Sequence, residues 1–323
     1  MTGKQVPNRI KTAKKNCVMQ RFADLNAQRQ AEVYALVRKL FLEGKGFKKV
    51  KKILLVEGIG ISQGALSYWR NHKTTHLRKN TFDLRPSKEL SYFMGVMFGD
   101  GSATGHAKNH DYCLRLDSID KEFVEKFCSS ISVLLNKKKR YPFCRLKDGM
   151  YSTNIRSKDL NQFVKAAKVD FEKAKLFIEV FPVDFIQGLA DSEGCPSISA
   201  ATEFRINVDI AFSTNLLLLE YSANLLRNVF GIHSAVRFDK FVGMQDSVIE
   251  GRLITRTKDL FSLKITSFAG SKMFSEKIGF SIIRKKQKLD DAIFIKESFE
   301  PKARIVEWKK LYRKDGKQWK KII

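Results

Sequence analysis

The sequence predicts an α+β chain in which two matched αββαββα repeats follow an all-α N-terminal unit. Three observations carry this. A nine-residue pattern occurs twice, as Phe93-Met-Gly-Val-Met-Phe-Gly-Asp-Gly101 and Ile186-Gln-Gly-Leu-Ala-Asp-Ser-Glu-Gly194. Stretches that alternate apolar and polar, as half-buried strands do, follow each copy. Residues 29–72 carry apolar side chains at helical spacing instead.

Three helices account for the N-terminal unit. Arg29–Leu42 places Val33, Leu36, Val37, Leu40 and Phe41 on one face, and Gly44 and Gly46 break it. Phe47–Val56 is a second helix carrying Lys48, Lys49, Lys51 and Lys52, and Gly58-Ile59-Gly60 reads as a turn. Ser62 is a natural N-cap for a third helix, Gln63–Asn71, with Ala65, Leu66 and Trp69 inward. Gln63, Ser67, Tyr68 and Arg70 then face outward. The arrangement resembles a helix-turn-helix, whose last helix enters the DNA major groove; a plain three-helix scaffold has the same pattern. Residues 73–86 read as a basic linker.

The first repeat continues from its motif helix into a strand over 112–118, a helix over 123–135, a strand over 150–157 and a helix, Asp159–Ala167; a second strand, the more weakly marked of each pair, completes αββαββα. The second gives 206–213, 218–230, 260–267 and Gly270–Ile278 in the same order. Alternation assigns each strand two faces. Leu114, Leu116, Val208, Ile210, Leu263 and Ile265 are expected to pack on helices. Arg115, Asn154, Arg156, Asn207, Asp209 and Lys264 are expected to point the other way, and Arg237 and Lys240 join them as candidate DNA contacts. A solvated polar face would alternate identically. The expected divisions are 1–80, 81–175, 176–290 and a basic C-terminal extension, 291–323.

The duplicated pattern has a chemical reading. Gly95 and Gly99, like Gly188 and Ser192, lie four residues apart and share a helix face. Small residues there let a second backbone approach closely. Gly101 and Gly194 are expected to stop the helices in the left-handed conformation. Asp100 and Glu193 then sit in last turns, where the helix dipole disfavours anions and the two carboxylates repel. A divalent cation relieves both, and carboxylate oxygens suit Mg²⁺.

These segments resemble the paired signature of the LAGLIDADG homing endonucleases. Gly95, Asp100 and Gly101 match the first motif; Gly188, Asp191, Glu193 and Gly194 match the second. Phe98 stands where the signature has its first Asp, a structural position in the family, and Glu193 replaces the catalytic Asp. The resemblance covers about residues 86–290. It implies a saddle of antiparallel sheets whose polar face lies in the DNA major groove. It further implies a monomer serving an asymmetric site, with Asp100 and Glu193 as catalytic residues that hold Mg²⁺ beside Gly99 and Ser192. Hydrolysis of both strands across the minor groove would leave short 3′ overhangs. A basic residue serves each centre in the family: Lys286 and Lys288 are the candidates in the second copy, with Lys285 close behind, and Lys173 in the first.

Charge points to the same partner. The net charge is +26, of which residues 1–80 supply +14 (18 basic, 4 acidic) and residues 284–323 supply +8 (14 basic, 6 acidic). Basic flanks of this kind favour nucleic acid. Five scattered Cys without a C-x-x-C pair suit a reducing compartment, cytoplasmic or organellar. His106, His110 and Cys113 form a cluster too sparse for a standard zinc site. No apolar run reaches the length of a membrane span, and no secretion signal or self-splicing intein ends are expected. The leading expectation is therefore a site-specific, Mg²⁺-dependent endonuclease of double-stranded DNA. The alternatives are a non-cleaving DNA-binding regulator and an RNA maturase acting on intron RNA.

Overall fold

The computed structural model describes residues 19–71, 82, 84–106, 111–136, 143–145, 148–249, 252–316 and 318–322. The chain divides into two units, Met1–Lys79 and Asn80–Ile323. Most of the expected linker lies outside the described residues.

In the first unit, strand β1 (Gln20–Arg21) leads through a 3₁₀ turn to helices α1 (Ala27–Leu42) and α2 (Phe47–Val56), strand β2 (Ile59–Gly60) and helix α3 (Gln63–Asn71). Asn26 caps α1 by accepting from the Arg29 N–H at 2.8 Å, and Ser62 Oγ accepts from the Ala65 N–H at 3.2 Å. Val37, Val50, Leu54 and Leu66 are fully buried. Trp69 is buried edge-on to Phe22 and Tyr34. The expected turn at Gly58–Gly60 is only half right. Gly58 is left-handed (φ 73°), but Ile59 is buried and pairs in parallel with Gln20. An apolar side chain at that point draws the segment into the core.

The second unit contains both repeats. The first comprises α4 (Lys88–Phe98), β3 (Ser102–His106), β4 (Asp111–Ser118), α5 (Lys121–Leu134), β5 (Phe143–Cys144), β6 (Tyr151–Arg156) and α6 (Lys158–Val169). Helix α7 (Glu172–Val180) leads to the second: α8 (Pro182–Glu193), β7 (Cys195–Ala200), β8 (Phe204–Ser213), α9 (Leu216–Phe230), β9 (Ala235–Lys240), the hairpin β10 (Gln245–Ile249) and β11 (Arg252–Thr255), β12 (Leu260–Ile265) and α10 (Phe268–Lys277). The sheets run β3-β4-β6-β5 and β7-β8-β12-β9, antiparallel and in the same order of use. Ser157 and Ser267 occupy matching places and cap α6 and α10 through the N–H of Leu160 (3.4 Å) and Gly270 (3.1 Å).

The tail forms α11 (Ile283–Ser298), α12 (Pro301–Leu311) and the hairpin β13 (Tyr312–Asp315) and β14 (Gln318–Lys321). It docks on its own unit. Trp308 is fully buried between Phe204 and a stacked Tyr312, and Trp319 Nε1 donates to the Ile198 carbonyl at 3.1 Å. The expected divisions at 175/176 and 290/291 fall inside α7 and α11.

One core joins the repeats, with α4 packed along α8. Leu114, Leu116, Val208, Ile210, Leu263 and Ile265 are all at most 1% exposed within it, on the expected face.

Candidate active site between two helix ends

The crossing of α4 and α8 builds the site. A Cβ on Gly95 would lie 2.3 Å from the Phe185 carbonyl oxygen, and one on Gly188 would lie 2.3 Å from that of Tyr92. One turn on, a Cβ on Gly99 would meet Ser192 Cβ at 2.5 Å and Glu193 Cγ at 3.0 Å. Backbone therefore packs on backbone, and the residues after this face, Asp100 and Glu193, come together.

The helix ends differ from expectation. Helix α4 stops at Phe98, which leaves Asp100 in the following turn, whereas Glu193 is in the last turn of α8. Neither Gly101 nor Gly194 is left-handed, and Gly194 is extended (φ −85°, ψ 160°). Space is what requires glycine here. A Cβ on Gly194 would lie 2.6 Å from the Asp209 carbonyl oxygen, and one on Gly101 2.6 Å from Met97 Sδ.

The two carboxylates are electrostatically coupled. Glu193 is pushed up to about 7 by desolvation and by the charge of Asp100, with Lys285 opposing. Asp100 is also raised, by desolvation, with Lys285 again opposing. Among the described residues, no hydrogen bond or salt bridge reaches either carboxylate. Their lone pairs are thus available to a cation. Ser192 Oγ donates to the Gly188 carbonyl at 3.1 Å within its own helix. No group of three His, Cys, Asp or Glu suited to a metal occurs among the described residues, so other ligands would be water or substrate oxygens, as Mg²⁺ commonly keeps. Cys113 is buried with its thiol on Asn154, and His110 lies outside the described residues.

The cation facing the pair is Lys285 rather than Lys286. Lys285 is 7% exposed, and its ammonium donates to the carbonyls of Asp191 (2.6 Å) and Ala190 (3.4 Å); burial lowers its pKa. Lys286 is exposed on the same helix. Lys288 is half-buried and desolvated near Cys195. In the first repeat, exposed Lys173 pairs with Asp170 at 3.5 Å. Lys168, not among the candidates from sequence, points its ammonium at the Gly101 carbonyl (3.2 Å), and desolvation lowers its pKa. It lies in the last turn of α6, where no lysine-rich run marks it.

Asp191 does a different job from Glu193. It is 1% exposed, and its Oδ1 accepts from the Ser281 N–H at 2.8 Å. Its Oδ2 accepts from Tyr92 OH at 2.9 Å and from Ser281 Oγ. These bonds fix the loop entering α11, and so the start of the helix that carries Lys285. In the first repeat Phe98 takes the matching place and packs on Phe171 and Phe185.

The polar sheet face largely follows expectation. Arg115 pairs with Asn154 across β4 and β6, and Cys113 with Arg156. Asn154 and Arg156 are exposed, as is Arg237; Arg115, Asn207, Lys240 and Lys264 are half-buried. Asp209 departs from it. It is 8% exposed, 3.8 Å from Lys264 and 3.6 Å from Cys195 Sγ, and desolvation raises its pKa. It anchors Lys264, which also reaches Asp239 at 3.8 Å, and offers no open group to a partner. Arg115 is likewise held by Asp117 at 2.6 Å. In the N-terminal unit Gln63, Tyr68 and Arg70 are exposed, Ser67 is half-buried, and Arg70 lies over the Phe47 ring.

Comparison with known proteins gives this picture. No protein-family model matches the sequence. An uncharacterised protein of Methanocaldococcus jannaschii is 29% identical over 269 residues, 82% of this chain and 94% of its own. A second from that organism is 29% identical over 169 residues, 50% of this chain and 62% of its own. Among solved structures, the homing endonuclease I-DmoI in complex with DNA and Mn is similar at a TM-score of 0.40 and 18% identity, over 59% of this chain and 96% of that one. The LAGLIDADG homing endonuclease I-LtrWI bound to target DNA gives 0.40 and 11%, over 65% and 90%. Full-length DUF199/WhiA from Thermatoga maritima gives 0.41 and 14%, over 72% and 68%.

Proposed function

We propose that this chain is a divalent-metal-dependent endonuclease of double-stranded DNA, with both cleavage centres in one polypeptide and an N-terminal helix-turn-helix adding DNA contacts. One observation carries the reading: Asp100 and Glu193 meet, with no hydrogen-bond or salt-bridge partner among the described residues, where two matched helices cross on glycine. A protein gains nothing in stability from holding two such carboxylates together. Desolvation raises both pKa values, and the charge of Asp100 raises that of Glu193 further. A site adapted to a divalent cation accounts for the cost, and Mg²⁺ is the natural choice for oxygen ligands.

Magnesium bound by Asp100 and Glu193 would acidify a water and stabilise the leaving oxygen of a phosphodiester. The chain's own residues do the rest. The Lys285 ammonium donates to two carbonyls and keeps a third N–H for a phosphate oxygen or the attacking water. Lys168 serves the first repeat in the same way, through its place at Gly101. Asn154, Arg156, Asn207, Arg237 and Lys240 present guanidinium, amide and ammonium groups to base edges and phosphates. Gln63, Ser67, Tyr68 and Arg70 do so on α3. Lys264 and Arg115, held by acids of the sheet face, help to set its shape. No helix among the described residues is long and apolar enough to cross a membrane.

The test is a cleavage selection on a randomised duplex library with Mg²⁺, wild type beside Glu193→Gln. The expected result is double-strand breaks at one sequence, absent in the variant. Specific retention of uncut duplex would replace the nuclease by a DNA-binding regulator. No duplex retention, with binding of structured intron RNA, would replace it by a maturase.

A further inference from the structure

The C-terminal hairpin closes a second basic site beside the carboxylates. A cavity of about 320 Å³ lies between α11, the hairpin β13–β14 and Ile119 at the end of β4. Its walls carry Arg284, Lys285, Lys288, Lys320 and Lys321, and Trp319 forms one side. No acid lines it among the described residues. Three of the five cations are neutralised from outside: Arg284 by Asp120 at 2.6 Å, Lys320 by Asp315 at 2.6 Å and Lys321 by Asp291 at 2.8 Å. Lys285 and Lys288 form no salt bridge among the described residues. Lys285 also feels the charges of Asp100, Glu193 and Asp191. Lys288 has no acid beside it in the lining, so its ammonium is the open cation of a confined space, a sound place for an anion.

The site is preformed. Trp319 is pinned by its hydrogen bond to Ile198 and by an edge contact with the buried Trp308. The Tyr312 hydroxyl donates to Asp291 at 2.8 Å, the same carboxylate that holds Lys321. The volume lies at the small end of ligand sites, roughly 300–1,000 Å³, which suits a phosphate and its sugar. Gln287 and Gln318 also line the space and add amide donors. Lys285 belongs to both this cavity and the carboxylate site, so the two adjoin.

We infer that this cleft binds a phosphate group, supplied by the nucleic-acid backbone next to the phosphate that is cut, and that the C-terminal hairpin exists to complete it. The backbone source rests on the DNA-binding reading above; the phosphate chemistry does not. A duplex bound here would be gripped by the tail of the chain as well as by the sheet.

The experiment uses the full chain and needs no cleavage. Acylation of Lys288 is followed by mass spectrometry at constant ionic strength, first against inorganic phosphate and then against duplex DNA in Ca²⁺. In parallel, duplex affinity against salt is measured for wild type, Lys288→Gln, Lys320→Gln and the charge-preserving Lys288→Arg. Both ligands are expected to protect Lys288, duplex at far lower concentration. Lys288→Gln is expected to reduce the slope of log K against log salt by about 0.9, and Lys288→Arg to keep it. Protection by phosphate with an unchanged slope in Lys288→Gln would overturn the backbone source and leave a site for free phosphate. Duplex binding with no protection by either ligand would overturn the site. If no duplex binds at all, the DNA-binding reading fails, and phosphate protection alone decides the cleft.

Discussion

Gly95 and Gly188 occupy reciprocal places at one helix crossing: each would drive an added Cβ to 2.3 Å from a carbonyl oxygen of the other helix. Neither oxygen can move without disturbing its own helix. Alanine at either position therefore pushes α4 and α8 apart, and overpacking of this kind typically costs about 1–3 kcal/mol or more. Gly188→Ala is expected to lower the unfolding free energy by that amount, read as a lower urea midpoint at unchanged m, and to uncouple the carboxylates. The Glu193 pKa should fall toward its usual value as Asp100 recedes. An alanine variant with wild-type stability would remove the close packing from the account.

Glu193 contributes a defined pH dependence to stability. Its pKa rises from 4.5 to about 7 on folding. Between those values the folded chain holds more protons than the unfolded one. Stability therefore falls as pH rises through that window, by at most ~1.4 kcal/mol per pH unit for one group. Glu193→Gln is expected to flatten this slope. Mg²⁺ favours the ionised pair, so it should release protons on binding and bind more tightly as pH rises through 7. Calorimetry in two buffers of different ionisation enthalpy measures that release; zero protons at pH 6 would contradict the assignment.

Asp191 is expected to behave as a structural acid. Asp191→Ala leaves Tyr92 OH and the Ser281 N–H and hydroxyl without their shared acceptor in a buried setting. An unsatisfied buried group costs about 1–3 kcal/mol, so the variant should lose at least that much in denaturant unfolding. Tyr92→Phe removes one donor and leaves the carboxylate otherwise bonded, so its loss should be near 1 kcal/mol. A larger loss for Tyr92→Phe than for Asp191→Ala would reverse this assignment.

What the sequence made legible here is periodic or duplicated. The small-residue face at 95/99 and 188/192 announced a helix crossing, and alternation at 112–118 and 206–213 announced two strands with the correct inward residues. Features set by three-dimensional neighbours stayed hidden. Lys285 and Lys286 are adjacent in a run of cations, and only the rotation of α11 decides which faces Asp100 and Glu193. Asp209 alternates with its outward neighbours, yet Lys264 and Cys195 enclose it. Ile59 sits between two glycines that read as a turn, although its side chain belongs to the core. Two-residue strands such as β5 are too short for any periodicity to register.

The tail should prove inseparable from the fold that carries the second repeat. Trp308 is fully buried, stacked on Tyr312 at 4.0 Å and tilted against Phe204 at 5.7 Å, and β8 carries that Phe204. Removing a buried Trp typically costs about 3–5 kcal/mol, a large share of the stability of a domain. Trp308→Ala is expected to lower the urea midpoint accordingly, and to expose β7 and β8 to hydrogen exchange while β3 and β4 keep their protection. Equal loss of protection in both sheets would mean that the two repeats unfold as a single cooperative body, with the Asp120–Arg284 pair and the α4–α8 crossing transmitting the damage.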